Sequence, residues 1–157
     1  MRLFRTLILA CGLLPLFPWP SDAQRILTIG AQSAPSGMDP HYHSSNPNNA
    51  VLRQIFETLV DFDTSGRLVP RLAESWRPID DLTWEFKLRE GVTFHDGTPF
   101  NADAVLWNFD RFFKNDSPQF DATGSAITRG RIPVLESYRK VDDFTFATTT
   151  TRPVSYW

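Results

Sequence analysis

The side chains able to do chemistry are few, and their spacing gives them little to do together. His41 and His43 form a His-x-His pair, and imidazoles are common ligands for divalent cations. Two ligands on a loop are too few to hold an ion, so we read them as solvated or hydrogen-bonded loop histidines and expect no metal. Asp80-Asp81 and Asp142-Asp143 could be taken for paired catalytic carboxylates. Each pair precedes a strand in a turn context, and adjacent residues on a strand face opposite ways, so they are read as turn acids. His95 and Asp96 are neighbours in a turn, whereas a dyad needs separate elements to aim its groups at each other. There is no Gly-x-Ser-x-Gly elbow, no phosphate-cradling glycine loop and no HExxH, so no catalytic residue and no cofactor are expected. Cys11 is the only cysteine, and its position in a leading apolar segment leaves the rest of the chain without a thiolate nucleophile or a disulfide.

The elements around these groups are plain. In residues 83–88 the apolar Trp84, Phe86 and Leu88 alternate with Glu85 and Lys87, the pattern of a half-buried strand. Gly91 ends it, a short extended run follows, and His95-Asp96-Gly97-Thr98-Pro99 turns the chain. Asn101 stands where an N-cap belongs, and Val105, Leu106, Phe109, Phe112 and Phe113 then recur at helical spacing, giving one apolar face. Upstream, residues 25–31 alternate as a strand does. Asn46-Pro47 opens a helix expected over 47–60, and residues 72–76 read as a single helical turn. Downstream, 115–130 reads as a polar surface loop, with Arg129, Arg131, Arg139 and Lys140 as a solvated basic face. Residues 138–150 read as a hairpin with a Thr-rich strand, and Trp76, Trp84 and Trp107 as core.

Residues 1–23 have the three parts of a secretory signal peptide. Arg2 and Arg5 supply the positive end, 7–17 the apolar stretch, and Ser21 and Ala23 the small residues before a cut at Gln24. Pro15, Pro18 and Pro20 argue against an uncleaved anchor. The remainder carries 14 basic and 17 acidic residues, a balance that does not fit a nucleic-acid surface. An exported chain without disulfides must be held by its core, and the Phe content, eleven of the thirteen lying beyond residue 23, makes that feasible.

The run LREGVTFHDGTPFNADAV, residues 88–105, resembles the first-lobe signature of the extracytoplasmic solute-binding proteins of family 5, the peptide-, dipeptide- and nickel-binding components of ABC importers. Three flanking blocks agree in order and spacing: Leu27-Thr28-Ile29-Gly30 with Met38-Asp39-Pro40; Ile55-Phe56-Glu57-Thr58-Leu59-Val60; and Leu68-Val69-Pro70-Arg71-Leu72-Ala73-Glu74-Ser75-Trp76. The resemblance implies an α/β, two-lobed periplasmic binding protein of type II, of which this chain is an N-terminal portion. It implies that 24–60 open the first lobe and that 61–157 form a mixed α+β accessory domain with antiparallel hairpins. It implies an exported monomer that captures a peptide or other small solute and delivers it to an ABC permease and ATPase, with most ligand contacts beyond residue 157. The matching positions that border the ligand cleft are Ser45, Asn46, Pro47, Asn48 and Asn49, for which helix capping and a solvated loop are the competing explanation. An exported hydrolase and a purely structural surface protein are the remaining readings.

Overall fold

The structure, a computed structural model, describes residues 26–30, 33–42 and 46–155. The signal-peptide reading of 1–23, His43 and Ser45 lie outside them. Two compact units divide the chain, residues 1–30 and 31–157. In the first, residues 26–30 carry no regular secondary structure, and Ile26, Leu27 and Ile29 are exposed. The strand expected there is absent from these five residues: alternation supplies an apolar face, but a strand also needs a paired ladder.

The second unit begins with a strap, residues 33–42, and then runs α1 (Asn46–Leu52), β1 (Val60–Phe62), β2 (Leu68–Pro70), β3 (Ala73–Pro78), β4 (Thr83–Leu88), α2 (Ala102–Phe113), α3 (Ala122–Arg131), β5 (Leu135–Asp142) and β6 (Thr145–Thr150). β1 and β2 form a two-stranded clasp, while β3-β4-β6-β5, in that spatial order, make an antiparallel sheet of two hairpins. Register places Trp76, Phe86 and Phe146 in one cross-strand row and Trp84, Thr148 and Tyr138 in the next. These rows share a face, because side chains two apart on a strand point the same way. Phe86 and Phe146 stack with ring centroids 4.9 Å apart and are almost wholly buried. Each contributes about 1.5–3 kcal/mol by leaving water.

α2 lies across this face. Its Phe109 stacks on Tyr138 at 4.9 Å and meets Phe146 at 6.1 Å. Asn101 caps it as expected, its Oδ1 accepting from Ala104 N at 3.0 Å. The turn before it uses Gly97 at φ 84°, the left-handed region that favours glycine.

Several expectations fail for tertiary reasons. The helix expected over 47–60 stops at Leu52: Gln54 and Ile55 donate to the carbonyls of Val51 and Leu52, three residues back, which tightens the last turn, and Leu59 and Val60 are then drawn into pairing with Ala73 and Pro70. Of residues 72–76, all but Leu72 are strand, since Trp76 pairs with Phe86 and burial there outweighs the helix-forming bias of Leu-Ala-Glu. Trp107 is 51% exposed, on the outer side of α2, and is no part of the core. The region expected to be a loop, 115–130, contains α3. That helix has no apolar stripe to read because it docks through small residues, with Gly124, Ser125 and Thr128 buried. Ser125 Oγ donates to Phe112 O at 2.6 Å. Arg129, expected on a solvated face, adds a second donor to the carbonyl of Phe112 (3.1 Å) and donates to that of Phe113 (2.8 Å), two of the carbonyls that the end of α2 leaves without intrahelical partners.

A Cβ added at position 124 would stand 2.6 Å from Phe112 Cε1, whereas one at Gly130 in the same helix meets nothing within 4 Å. Gly124→Ala is therefore expected to destabilise the chain by about 1–3 kcal/mol through overpacking. Gly130→Ala is expected to be neutral or to stabilise by up to about 1 kcal/mol. Urea unfolding of the two variants is the check, and equal midpoints would contradict the close approach of α3 to α2.

Candidate functional site

The charged groups of the turns are used up by the turns. Asp80 Oδ1 accepts the N–H groups of Leu82 (2.8 Å) and Thr83 (2.7 Å), and these bonds, Leu82 first, hold its carboxyl below the ordinary range. Asp142 Oδ1 accepts from Phe144 N at 2.8 Å, and Asp143 pairs with Lys140 at 2.7 Å. Asp96 Oδ1 takes both the hydroxyl (2.7 Å) and the N–H (2.9 Å) of Thr98. Among the described residues no three His, Cys, Asp or Glu side chains are grouped so as to hold a metal ion.

The groups that do converge lie where the strap crosses the ends of α2 and α3. Arg111, in the last turn of α2, donates from Nη2 to Asp39 Oδ2 at 2.6 Å and to Asp121 Oδ2 at 3.0 Å. Tyr42 donates its hydroxyl to the same Asp121 oxygen. Asp121 Oδ1 meanwhile caps α3, accepting from Gly124 N at 3.0 Å. On the strap, Asp39 Oδ1 accepts from His41 N at 2.9 Å and lies 3.0 Å from His41 Nδ1. The His41 ring packs on Phe112 at 4.5 Å, and the Arg111 guanidinium stands over Phe112 at 4.8 Å and over Tyr42 at 6.0 Å. Two anions thus share one cation between aromatic rings.

The electrostatics follow from this geometry. The Gly124 N–H, then Tyr42 and Arg111, hold the Asp121 carboxyl down at about 2. Burial pushes Asp39 up, but the His41 N–H and Arg111 outweigh it and its carboxyl sits below the usual range. Burial pushes His41 down despite Asp39, so its neutral form is favoured.

At the other end of the strap, Asn48 is 2% exposed. Its Oδ1 accepts from Ser36 N at 3.2 Å, and its Nδ2 donates to Ser36 Oγ at 3.3 Å. Of the five positions expected to border a ligand, Asn48 is therefore committed to holding the strap. Asn46 is exposed, Pro47 and Asn49 are half-buried, and Ser45 falls outside the described residues. Between strap, clasp and helices runs a groove of about 990 Å³, lined among others by Leu59, Val105, Phe109, Phe112, Phe113 and Ile132. Thr128 also lines it, and its buried hydroxyl has no hydrogen-bond partner among the described residues. Sequence reasoning singled out neither Arg111 nor Asp121. The only local signals were an arginine in a helix's last turn and an aspartate three residues before a glycine.

Both depressed carboxyls and the depressed histidine act in the same direction with pH. Each favours the folded strap above its unfolded value, near 6.5 for His41 and 3.8 for the aspartates, and loses that contribution as acid titrates the folded group. The strap is expected to loosen in steps as pH falls below about 6.5 and again between about 4 and about 2. The Tyr42 and His41 ring resonances report this by NMR. In an Asp121→Asn variant the Tyr42 resonances should lose the most acidic step, and their retention of it would contradict the assignment.

Residues 67–157 match the family model described as bacterial extracellular solute-binding proteins, family 5 Middle. The periplasmic oligopeptide-binding protein OppA of Salmonella typhimurium is 31% identical over 147 residues, 87% of this chain and 27% of that protein. The di/tripeptide-binding protein 3 of Pseudomonas aeruginosa is 38% identical over 119 residues, 70% of this chain and 22% of that protein. Among solved structures, Haemophilus influenzae OppA in complex with the peptide RPPGFSPFR superposes with a TM-score of 0.65 at 27% identity, covering 78% of this chain and 26% of that one. The chain thus spans about a quarter of the length of the curated relatives it matches, 22% and 27% in these two. Its mixed α/β architecture, with antiparallel sheets, is part of the fold of these two-lobed periplasmic binding proteins. With the signature 88–105 in the turn and helix that lead to Arg111, and the family model matched over more than half its residues, the chain belongs to the bacterial extracellular solute-binding proteins of family 5.

Proposed function

We propose that this chain is part of the solute-capturing component of an ABC importer, and that its cargo is a peptide. The observation that carries this reading is the agreement of the relatives' names on peptide cargo, from di- and tripeptides to oligopeptides, across identities of 38% and 31%. Members of this family are transport binding proteins, and the turn duties of Asp80, Asp96 and Asp142 are consistent with a chain that binds and does not catalyse. In this reading export follows a signal peptide over 1–23, residues 24–60 open the first lobe, and 61–157 form the accessory domain. The complete receptor hands its peptide to a permease powered by an ATPase.

The chain's own contribution to the ligand is assigned to Ser45, Asn46, Pro47, Asn48 and Asn49. Asn46 and Asn49 suit it best: a carboxamide both donates and accepts, as a peptide main chain requires. Asn48 acts indirectly, by holding Ser36. The charged groups that fix peptide termini are assigned to the remaining length of a family-sized protein.

The test is a chimera in which residues 26–157 replace the matching quarter of the Salmonella oligopeptide-binding protein. Calorimetry is expected to give peptide affinity within about tenfold of the parent, ~1.4 kcal/mol. The isolated chain is expected to give no measurable heat with the same peptides. A chimera that melts cooperatively yet binds no peptide would contradict the reading.

A further inference from the structure

We propose that Arg111 is a positioning residue, a pin at the end of α2 that fixes the strap and, through the strap, the place of α1 with its Asn46 and Asn49. The inference rests on the peptide-receptor reading for its functional half and on geometry alone for the other. The physical path is short. The Arg111 side chain is 21% exposed and reaches Asp39, 30% exposed, at 2.6 Å. Asp39 fixes the turn at residues 39–42 through the His41 N–H, and Tyr42 closes that turn by donating its N–H to Asp39 O at 3.3 Å. Three residues before Asp39, Ser36 is gripped by Asn48 of α1. A displacement of the strap at Asp39 is thus passed to α1 through the four residues 36–39 and a buried carboxamide.

The sheet does not hold this region in place. Strand pairing joins β3, β4, β6 and β5, and the strap has no strand in it. Its anchors at the helix end are the bonds to Arg111 and Asp121 and the packing of His41 on Phe112. Arg111 is the member that cannot be dispensed with, because Asp39 and Asp121 both lie within 3.0 Å of its one nitrogen. Without the cation two carboxylates face each other, and like charges at that range disfavour the closed arrangement. Removing the guanidinium should leave α3 intact, because Asp121 still caps it through Gly124 N. It should also leave the aromatic core intact, because Phe146 is held by its ring contacts with Phe86 and Phe109.

The experiment compares wild type, Arg111→Met and Arg111→Lys by amide hydrogen exchange on the full chain, and by peptide affinity in the Salmonella chimera. Arg111→Met keeps the apolar stem and loses the charge. Arg111→Lys keeps a cation that can serve both carboxylates. For Arg111→Met, exchange over residues 33–42 and 46–52 is expected to rise about tenfold or more while β4 and β6 keep their protection, and peptide affinity should fall about tenfold. Arg111→Lys is expected to restore most of both. Unchanged exchange in the strap, or a rise of equal size in β4 and β6, would overturn the pin. A local rise with unchanged affinity would overturn its functional half. If the wild-type chimera binds no peptide, the receptor reading fails while the exchange comparison still decides whether Arg111 holds the strap.

Discussion

The aromatic contact between α2 and the sheet is the constraint on which the other parts depend. Phe146, at the centre of the sheet, stacks on Phe86 within it and meets Phe109 from above, and Phe109 in turn stacks on Tyr138. Rings in these offset and tilted arrangements add to the energy of burial and also fix orientation. Tyr138 donates its hydroxyl to Asp110 at 2.8 Å, and Lys140 reaches Asp103 at 2.8 Å, so polar bonds at both ends of α2 set its rotation over β5. Burial, followed by the hydrogen bond to Asp110 and then the Asp110 charge, raises the Tyr138 phenol well above its ordinary value, so the hydroxyl remains a donor.

Once α2 is seated, its far side becomes the reference for the rest. Phe112 receives α3 through Gly124 and the strap through His41, while Arg111 beside it gathers one carboxylate from each. The arrangement separates tasks. Apolar contacts near the sheet give stability, and charge-assisted bonds at the helix end give position, in a place where water can still compete and acid can titrate.

What could be read from the sequence was local. Strand 83–88, the Asn101 cap, the apolar face of α2 and the final hairpin all declare themselves through period, turn chemistry and capping within a dozen residues. The longest block of the resemblance to family 5, residues 88–105, lay in the same stretch. What could not be read depends on distant partners. α3 binds through Gly124 and Ser125, whose smallness has meaning only against Phe112. β3 exists because β4 offers it a ladder, and α1 stops short because the chain after it is drawn into pairing with β2 and the start of β3. The pairing of Asp39 with Arg111 joins residues on different elements far apart in the chain, and nothing near either one announces it. Asn48, chosen from the sequence as a ligand contact, is legible as a strap anchor only when Ser36 is seen beside it.

The claim that the aromatic contact organises the unit is most directly measured by a double-mutant cycle on Phe109 and Phe146, each changed to Leu to keep an apolar side chain, with stability read from urea unfolding. A coupling of about 0.5–1.5 kcal/mol between the two changes is the predicted result. Additive effects, with both variants folded, would contradict it and would mean that α2 is held over the sheet by something other than these rings.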